Sequence, residues 1–260
     1  MGFGSRKLFV SSALGIFLLY FLLVTSLLYF FSAQTFVQVL WSQRTLFSIR
    51  LSVSAATIAT ALAVFIAVPS AYALSRYEFV GKRIVDTILE LPMIVSPAAL
   101  GAMILIFFNT PPGIWIQERG IQFVFAWNGI VLAQFVTVCG IATRLIKAAM
   151  DEIPRRYEDV ARTLGASYWK AFVTVTLPLC KRGILAASIL TWAKALGEFG
   201  ATIMVAGSMQ QRTETLPIAI FLRLSSAEIE GTVVLILLLL SIGLITLYLV
   251  RLITGSSSYA

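Results

Sequence analysis

The chain has 260 residues, of which 59% are hydrophobic and only 12% charged, so it has too little polar material to cover a water-soluble globule and belongs in a lipid bilayer. Its 20 Lys and Arg against 12 Asp and Glu do not indicate a nucleic-acid partner, because these bases lie between apolar runs and form no continuous basic face. Histidine is absent, which excludes Ser-His-Asp and Cys-His nucleophilic sites and the helical zinc motif built from two histidines.

Six mainly apolar stretches are long enough to cross the membrane, which takes about 20 residues of helix. The first follows Arg6 and Lys7, as in a signal peptide, but its apolar run exceeds the roughly 7–15 residues of a signal-peptide core, so we expect a retained span. The stretches form a single transmembrane domain over residues 1–260. The predicted spans are residues 8–31, 47–74, 86–108, 124–146, 183–206 and 231–253.

Six spans place both termini on one side of the membrane, and the basic residues indicate which side. With cytoplasmic termini, the N-terminus and the loops after spans two and four are cytoplasmic, and they hold most of the Lys and Arg. The bases left outside are Arg44, Arg50, Arg119, Arg212 and Arg223. The positive-inside rule therefore predicts a multi-pass protein with cytoplasmic termini.

The longest polar stretch, residues 150–170, lies between spans four and five, in a cytoplasmic segment predicted over residues 150–182. Its first half has a helical pattern, with Pro154 suited to the first turn and with Glu158 and other charged residues on the polar faces. One stripe of this helix consists of Tyr157, Val160, Ala161 and Leu164. The pattern alone leaves open whether the stripe rests on membrane lipid or lies in a groove of a partner protein.

A sharp turn is predicted after this helix. Gly165 fits the left-handed position that ends a helix, and Ser167 can cap a second short helix running from Tyr168 until Pro178 interrupts it. We therefore expect a helix, a turn and a helix projecting from the membrane.

This loop carries a family resemblance. The segment Asp159-Val160-Ala161-x3-Gly165-x9-Val175-x-Leu177-Pro178 resembles the loop motif of binding-protein-dependent ABC importer permeases, usually Glu-Ala-Ala-x3-Gly-x9-Ile-x-Leu-Pro. The three departures keep acidic or apolar character, and the Gly-to-Pro spacing is intact. The resemblance implies that the segment is a coupling helix, which sits in a cleft of an ATP-binding cassette ATPase and transmits its movement. The coupling residues that it implies are Tyr157, Glu158, Asp159, Val160, Ala161, Leu164 and Gly165.

Nucleotide chemistry is expected on another subunit. The sequence has no Gly-x4-Gly-Lys-Ser/Thr motif, so it cannot cradle a phosphate in the P-loop manner. The resemblance then implies that ATP and Mg²⁺ belong to the partner ATPase, and that this chain has no catalytic residue and no metal or cofactor of its own. Cys139 and Cys180 lie in or near apolar helical segments, and their spacing indicates packing thiols.

A second resemblance lies in and after the fifth predicted span. Gly197-Glu198-Phe199-Gly200-Ala201-Thr202, Ala206-Gly207 and Thr215-Leu216-Pro217 resemble the molybdate/tungstate permeases, with sulfate permeases close behind. Leu91-Pro92 and Pro97 also resemble that group, although its usual paired prolines are here Ser96-Pro97. This resemblance implies an oxyanion as cargo, molybdate or tungstate first, with sulfate, phosphate or another anion as alternatives.

Lys194 and Glu198 lie deep within the fifth predicted span. A charge at the centre of a span costs about 2.5–3.5 kcal/mol on insertion scales, so both residues are expected to face protein or water. At i and i+4 they can pair on one helical face. The pair is either a structural lock or part of the pathway, with Lys194 attracting an oxyanion and Glu198 neutralising it between passages.

The prediction is therefore an all-α, six-span permease of type I, MetI-like architecture in a prokaryotic cell membrane, working by alternating access. The resemblance implies a homodimer that docks two ATPase subunits, and an extracytoplasmic substrate-binding protein that contacts the outer loops Asn109–Gly120 and Gly207–Pro217. Two other classes stay open. One is an ion-coupled secondary carrier using Lys194 and Glu198, and the other is a membrane scaffold that transports nothing.

Overall fold

The computed structural model describes residues 3–254, with side chains from residue 9 to residue 252; the ends of the predicted domain lie outside this part. All regular elements among the described residues are helical. A 3₁₀ turn covers Leu28–Phe30 and a π-helical turn covers Phe172–Thr176. The α-helices are α1 Phe3–Leu27, α2 Ala33–Leu40, α3 Gln43–Arg76, α4 Lys82–Ile88, α5 Leu91–Ile94, α6 Pro97–Phe108, α7 Pro111–Glu118, α8 Trp127–Asp151, α9 Arg156–Thr163, α10 Tyr168–Ala171, α11 Leu177–Leu196, α12 Gly200–Ala206, α13 Leu216–Ser225 and α14 Ile229–Thr254.

The described helices account for the predicted spans. Five stretches are long and apolar enough to cross a membrane, and α4 to α6 supply a sixth if this bent pair counts as one span. The predicted all-α membrane fold is therefore confirmed. The five continuous stretches are Phe9–Phe30, Gln43–Arg76, Trp127–Asp151, Tyr168–Leu196 and Ile229–Leu252.

The third span is not the continuous helix predicted over residues 86–108. The segment Lys82–Ile94 meets Pro97–Phe108 at an angle of 113°. Val95 and Ser96 are extended, and Ser96 directly precedes Pro97, a position where the helical region is disfavoured. The Ser96 side chain accepts a hydrogen bond from the Ala99 N–H to start α6. The Ser96-Pro97 dipeptide thus ends one helix and caps the next.

The fifth span also differs from the predicted range 183–206. It begins at Tyr168 and continues through Pro178, since the wider π turn of Phe172–Thr176 precedes the proline and relieves the contact that its ring would make with the preceding turn. It ends at Leu196, where a short non-helical break precedes α12. The prediction that Pro178 interrupts the helix was wrong.

Small residues allow the central helices to pack closely. A Cβ on Gly101 would lie 2.8 Å from the Ala201 backbone, and one on Gly200 would lie 2.9 Å from the Ala98 nitrogen. Close backbone approach of this kind is typical of membrane helices that associate through small side chains. It holds α6 against α12, so the restarted halves of the third and fifth spans lie side by side.

Candidate functional site

The bent segment between the fourth and fifth spans has the predicted backbone. Gly165 has a φ of +90°, the left-handed conformation that favours glycine. The N–H of Ala166 donates to the Ala161 carbonyl and that of Gly165 donates to the Arg162 carbonyl, the two bonds of a Schellman motif. The Ser167 hydroxyl then accepts from the Lys170 N–H at 3.2 Å and caps α10. The predicted helix, turn and helix are thus present, with α9 beginning two residues after Pro154.

The apolar stripe of α9 is open to solvent. Leu164 is 84% exposed, and Tyr157 and Val160 are about half exposed, with Ala161 between them partly covered. Asp159 and Gly165 are also exposed. An uncovered row of large apolar side chains on a polar segment indicates a surface that another molecule covers.

Glu158 does not lie on the polar surface where the sequence pattern placed it. Its residue is only 7% exposed. Its Oε1 accepts a 2.7 Å hydrogen bond from Nε of Arg76 and a 2.6 Å bond from the hydroxyl of Thr176, while its Oε2 accepts a 2.9 Å bond from the hydroxyl of Tyr72. These donors lie on the inner side of α9, so burial of Glu158 follows from its partners. We call these four residues the Glu158 cluster.

The Glu158 cluster joins several elements. Arg76 ends α3 and also donates to the carbonyls of Met150 and Ile153, at 3.1 and 2.9 Å, where α8 ends. Burial opposes ionisation of Glu158, but the hydrogen bonds from Thr176, Arg76 and Tyr72 outweigh it and hold the pKa of its carboxyl below its usual value. The carboxylate is therefore charged and fully engaged inside the protein.

Sequence reasoning missed the partners of Glu158. Tyr72 looked like a member of an apolar span, Thr176 had no assigned role in the segment 150–182, and Arg76 counted only toward topology. It also missed Trp169, a 72% exposed aromatic residue on α10, four residues after Gly165. An available signal for Trp169 was a large aromatic residue placed directly after a predicted turn.

Lys194 and Glu198 meet, but not on one continuous helix. Lys194 lies in the last turn of α11, whereas Glu198 lies in the break, and their Nζ and Oε2 atoms are 3.5 Å apart. The Oε1 of Glu198 accepts from the Ala201 N–H at 3.1 Å, which satisfies a free donor at the start of α12. The Glu198 side chain is 1% exposed and that of Lys194 is 47% exposed. The pair is therefore long, with one buried partner and one half-exposed partner.

The loop after α12 is held by buried polar contacts. Glu214 is fully buried, and both of its oxygens accept from Nε of Arg44, at 2.8 and 3.1 Å. The Leu216 N–H donates to the Ser52 hydroxyl at 2.7 Å. Of the predicted contact loop Gly207–Pro217, residues 208–212 are exposed and residues 213–217 are buried. Only the tip of this loop can meet another protein.

Sequence comparison identifies known proteins similar to this chain. Residues 60–256 match the family model described as "Binding-protein-dependent transport system inner membrane component". The molybdenum transport system permease protein ModB of Haemophilus influenzae is 35% identical over 207 residues, covering 78% of this chain and 90% of that protein. The sulfate transport system permease protein CysW of Escherichia coli is 34% identical over 206 residues, covering 78% and 71%.

Solved structures share the fold. A chain of a bacterial alginate ABC transporter, solved with an alginate-bound periplasmic protein, superposes with a TM-score of 0.77 at 14% identity and covers 98% of this chain and 97% of its own length. A chain of the inward-facing methionine ABC transporter MetNI superposes with a TM-score of 0.58 at 18% identity, covering 82% of this chain and 99% of that chain. At these identities the likeness shows the fold alone.

Proposed function

The chain belongs to the family of binding-protein-dependent transport system inner membrane components, and from that premise we propose that it carries an oxyanion, molybdate or tungstate first, through the membrane by alternating access. As a family member it is a transmembrane subunit of an ABC importer and is not itself the ATPase. The observation that carries the proposal is the half-exposed Lys194 side chain beside the break in the fifth span.

The cargo class follows from relatives and charge together. Proteins named for molybdenum and for sulfate transport match at nearly equal identity, 35% and 34%. Molybdate and sulfate are both tetrahedral dianions, so a single accessible cation suits either. A 3.5 Å pair with Glu198 is loose enough for Lys194 to exchange partners, and a conduit must release what it admits. Sulfate is therefore the second candidate.

We propose that the exposed apolar stripe of α9 docks on the ATPase and transmits its movement. Tyr157, Val160 and Leu164 would fill a cleft of the ATPase, where ATP and Mg²⁺ are bound, and Asp159, Ala161 and Gly165 shape that contact. A single chain presents one such stripe, and two copies would dock two ATPase subunits. Closure of the ATPases would switch the paired chains between inward-open and outward-open states.

The remaining partners follow the same scheme. An extracytoplasmic binding protein would deliver the anion to the exposed tip 208–212 and to α7, with both termini of the permease in the cytoplasm and its spans in lipid. The unequal distribution of Lys and Arg supports this orientation.

The test is uptake into proteoliposomes holding the permease, its ATPase and its binding protein. We expect ATP-dependent accumulation of labelled molybdate or tungstate, competed less well by sulfate. Preference for sulfate would reassign the cargo, and uptake driven by an ion gradient without ATPase would favour a secondary carrier.

Lys194 is tested by two variants. Lys194→Met should impair uptake in assembled complexes, and Lys194→Met/Glu198→Gln should stay impaired, because the attracting cation is missing in both. Rescue of transport by the double variant would instead show a structural pair.

A further inference from the structure

We propose that the Glu158 cluster is the mechanical joint that makes α9 move together with α3 and α11, so that Glu158 acts as a positioning residue inside the permease and makes no contact with the ATPase. This inference rests on the proposed coupling role of α9. It replaces the expectation that Glu158 belongs to the docking surface.

The eight-residue helix α9 has two faces with different partners. Tyr157, Val160 and Leu164 point outward, uncovered, while Glu158 points inward and is buried. A helix this short is marginal by itself in water, so contacts with other elements must hold it in place. The Glu158 cluster supplies such contacts on the inner face.

The three donors to Glu158 come from the two spans that flank the bent segment in space. Tyr72 and Arg76 lie in the last turns of α3, and Thr176 ends the π turn that leads into α11. The Tyr72 and Phe172 rings pack with centroids 4.5 Å apart and shield the polar contacts. Movement of α9 therefore cannot leave either span behind unless these hydrogen bonds break.

The buried ion pair between Arg76 and Glu158 indicates a role other than stability. Taking two charges out of water is unfavourable, and apolar residues of similar volume often stabilise a protein as well or better. The side chains of Arg76 and Glu158 are 6% and 9% exposed. What the ion pair adds is a fixed orientation of α9, since donors at fixed positions hold both oxygens of the Glu158 carboxylate.

The π turn supports the same assignment. Such turns are rare, and they occur as single-turn interruptions often found at functional sites. Here the turn lies between the short helix α10 and the long helix α11, and its last residue, Thr176, donates to Glu158. The irregular turn is thus tied to the coupling helix where the fifth span begins.

The experiment compares oxyanion uptake per ATP hydrolysed in the reconstituted full transporter. Glu158→Gln removes the charge, and Thr176→Val removes one neutral donor. Thr176→Ser keeps that donor, and Glu152→Gln neutralises a nearby exposed acid outside the cluster. We expect the ratio to fall roughly five-fold or more in Glu158→Gln and about two-fold or more in Thr176→Val. Thr176→Ser and Glu152→Gln should match the wild type.

Two results would overturn the inference. One is an unchanged ratio in both Glu158→Gln and Thr176→Val. The other is loss of the ATPase from either purified variant complex, because the cluster would then support docking and not transmission. If the wild-type complex shows no ATP-dependent uptake, the proposed function itself fails, so the two failures are distinguishable.

A distance measurement supplies an independent readout. Spin labels at Thr163 on α9 and Glu78 just after α3, with Cys139 and Cys180 replaced, report whether the two elements move together. We expect their separation to stay constant through the ATP cycle in the otherwise wild-type transporter and to change in Glu158→Gln. A separation that varies equally in both would refute a joint.

Discussion

Gly200→Ala should destabilise the permease through one identifiable contact. The added Cβ would lie 2.9 Å from the Ala98 nitrogen and 3.1 Å from Cβ of Pro97, at the start of α6. Because one neighbour is backbone and the other a rigid ring, neither can move aside cheaply. Overpacking of this kind costs about 1–3 kcal/mol, roughly a five-fold to hundred-fold change in the unfolding equilibrium.

Gly197→Ala is the matched control. Gly197 lies three residues earlier with a φ of −83°, and a Cβ there meets only the Ala193 and Lys194 carbonyl oxygens, at 3.7 and 3.9 Å. Ordinary contact distances and an ordinary backbone conformation allow alanine, so we expect a change within about 0.5 kcal/mol.

The assay is reversible unfolding of the purified permease in mixed micelles with increasing SDS, which gives a free energy for each variant. Gly101→Ala should also destabilise, because its Cβ would meet Ala201 on the same interface, and the two losses should not add in the double variant. Equal stability of Gly200→Ala and Gly197→Ala would refute the close packing of α6 on α12.

Three further changes test the bent segment. The folded-state pKa of Glu158 lies below its ordinary value of 4.5, so the stability that this carboxylate provides is fully present above pH 4.5 and is lost as pH falls through the lower folded-state pKa. Acid unfolding curves should show this loss in the wild type and not in Glu158→Gln. Leu164→Asp should abolish co-purification with the ATPase while changing stability by no more than about 0.5 kcal/mol, and Thr163→Asp on the neighbouring exposed position should retain the ATPase. Gly165→Ala should cost about 1–2 kcal/mol, because alanine is strained at a φ of +90°; SDS unfolding with no loss would contradict that strain.

Features that depend on neighbouring residues were predictable from the sequence. The Gly165 turn and the Ser167 cap each need only a few adjacent residues, and both are present. The burial of Glu158 was not predictable, since its helical stripe is polar and its donors Tyr72 and Arg76 lie 86 and 82 residues away in the chain. A single sequence shows which face of a helix is polar and gives no indication that distant polar groups cover it.

The same limit explains the two errors in the spans. Hydropathy averages over many residues, so Lys82–Ile94 and Pro97–Phe108 look like one span although the chain bends by 113° between them. The sharp bend depends on Ser96 taking a backbone N–H, and the end of α11 on Glu198 doing the same for Ala201. In both places a polar side chain starts a new helix inside an apolar stretch, which hydropathy cannot register.

The starts of α6 and α12 determine where the Lys194–Glu198 pair lies. Glu198 is bonded to the start of α12, and α12 is packed on α6 through Gly101 and Gly200. Lys194 belongs to α11, whose N-terminal end is joined to α9 through Thr176 and the Glu158 cluster. The pair therefore lies between α12 and the part of the fifth span that is connected to α9. We expect a movement of α11 relative to α12 to change the separation of Nζ from Oε2, now 3.5 Å, and so to open or close the proposed anion site at Lys194.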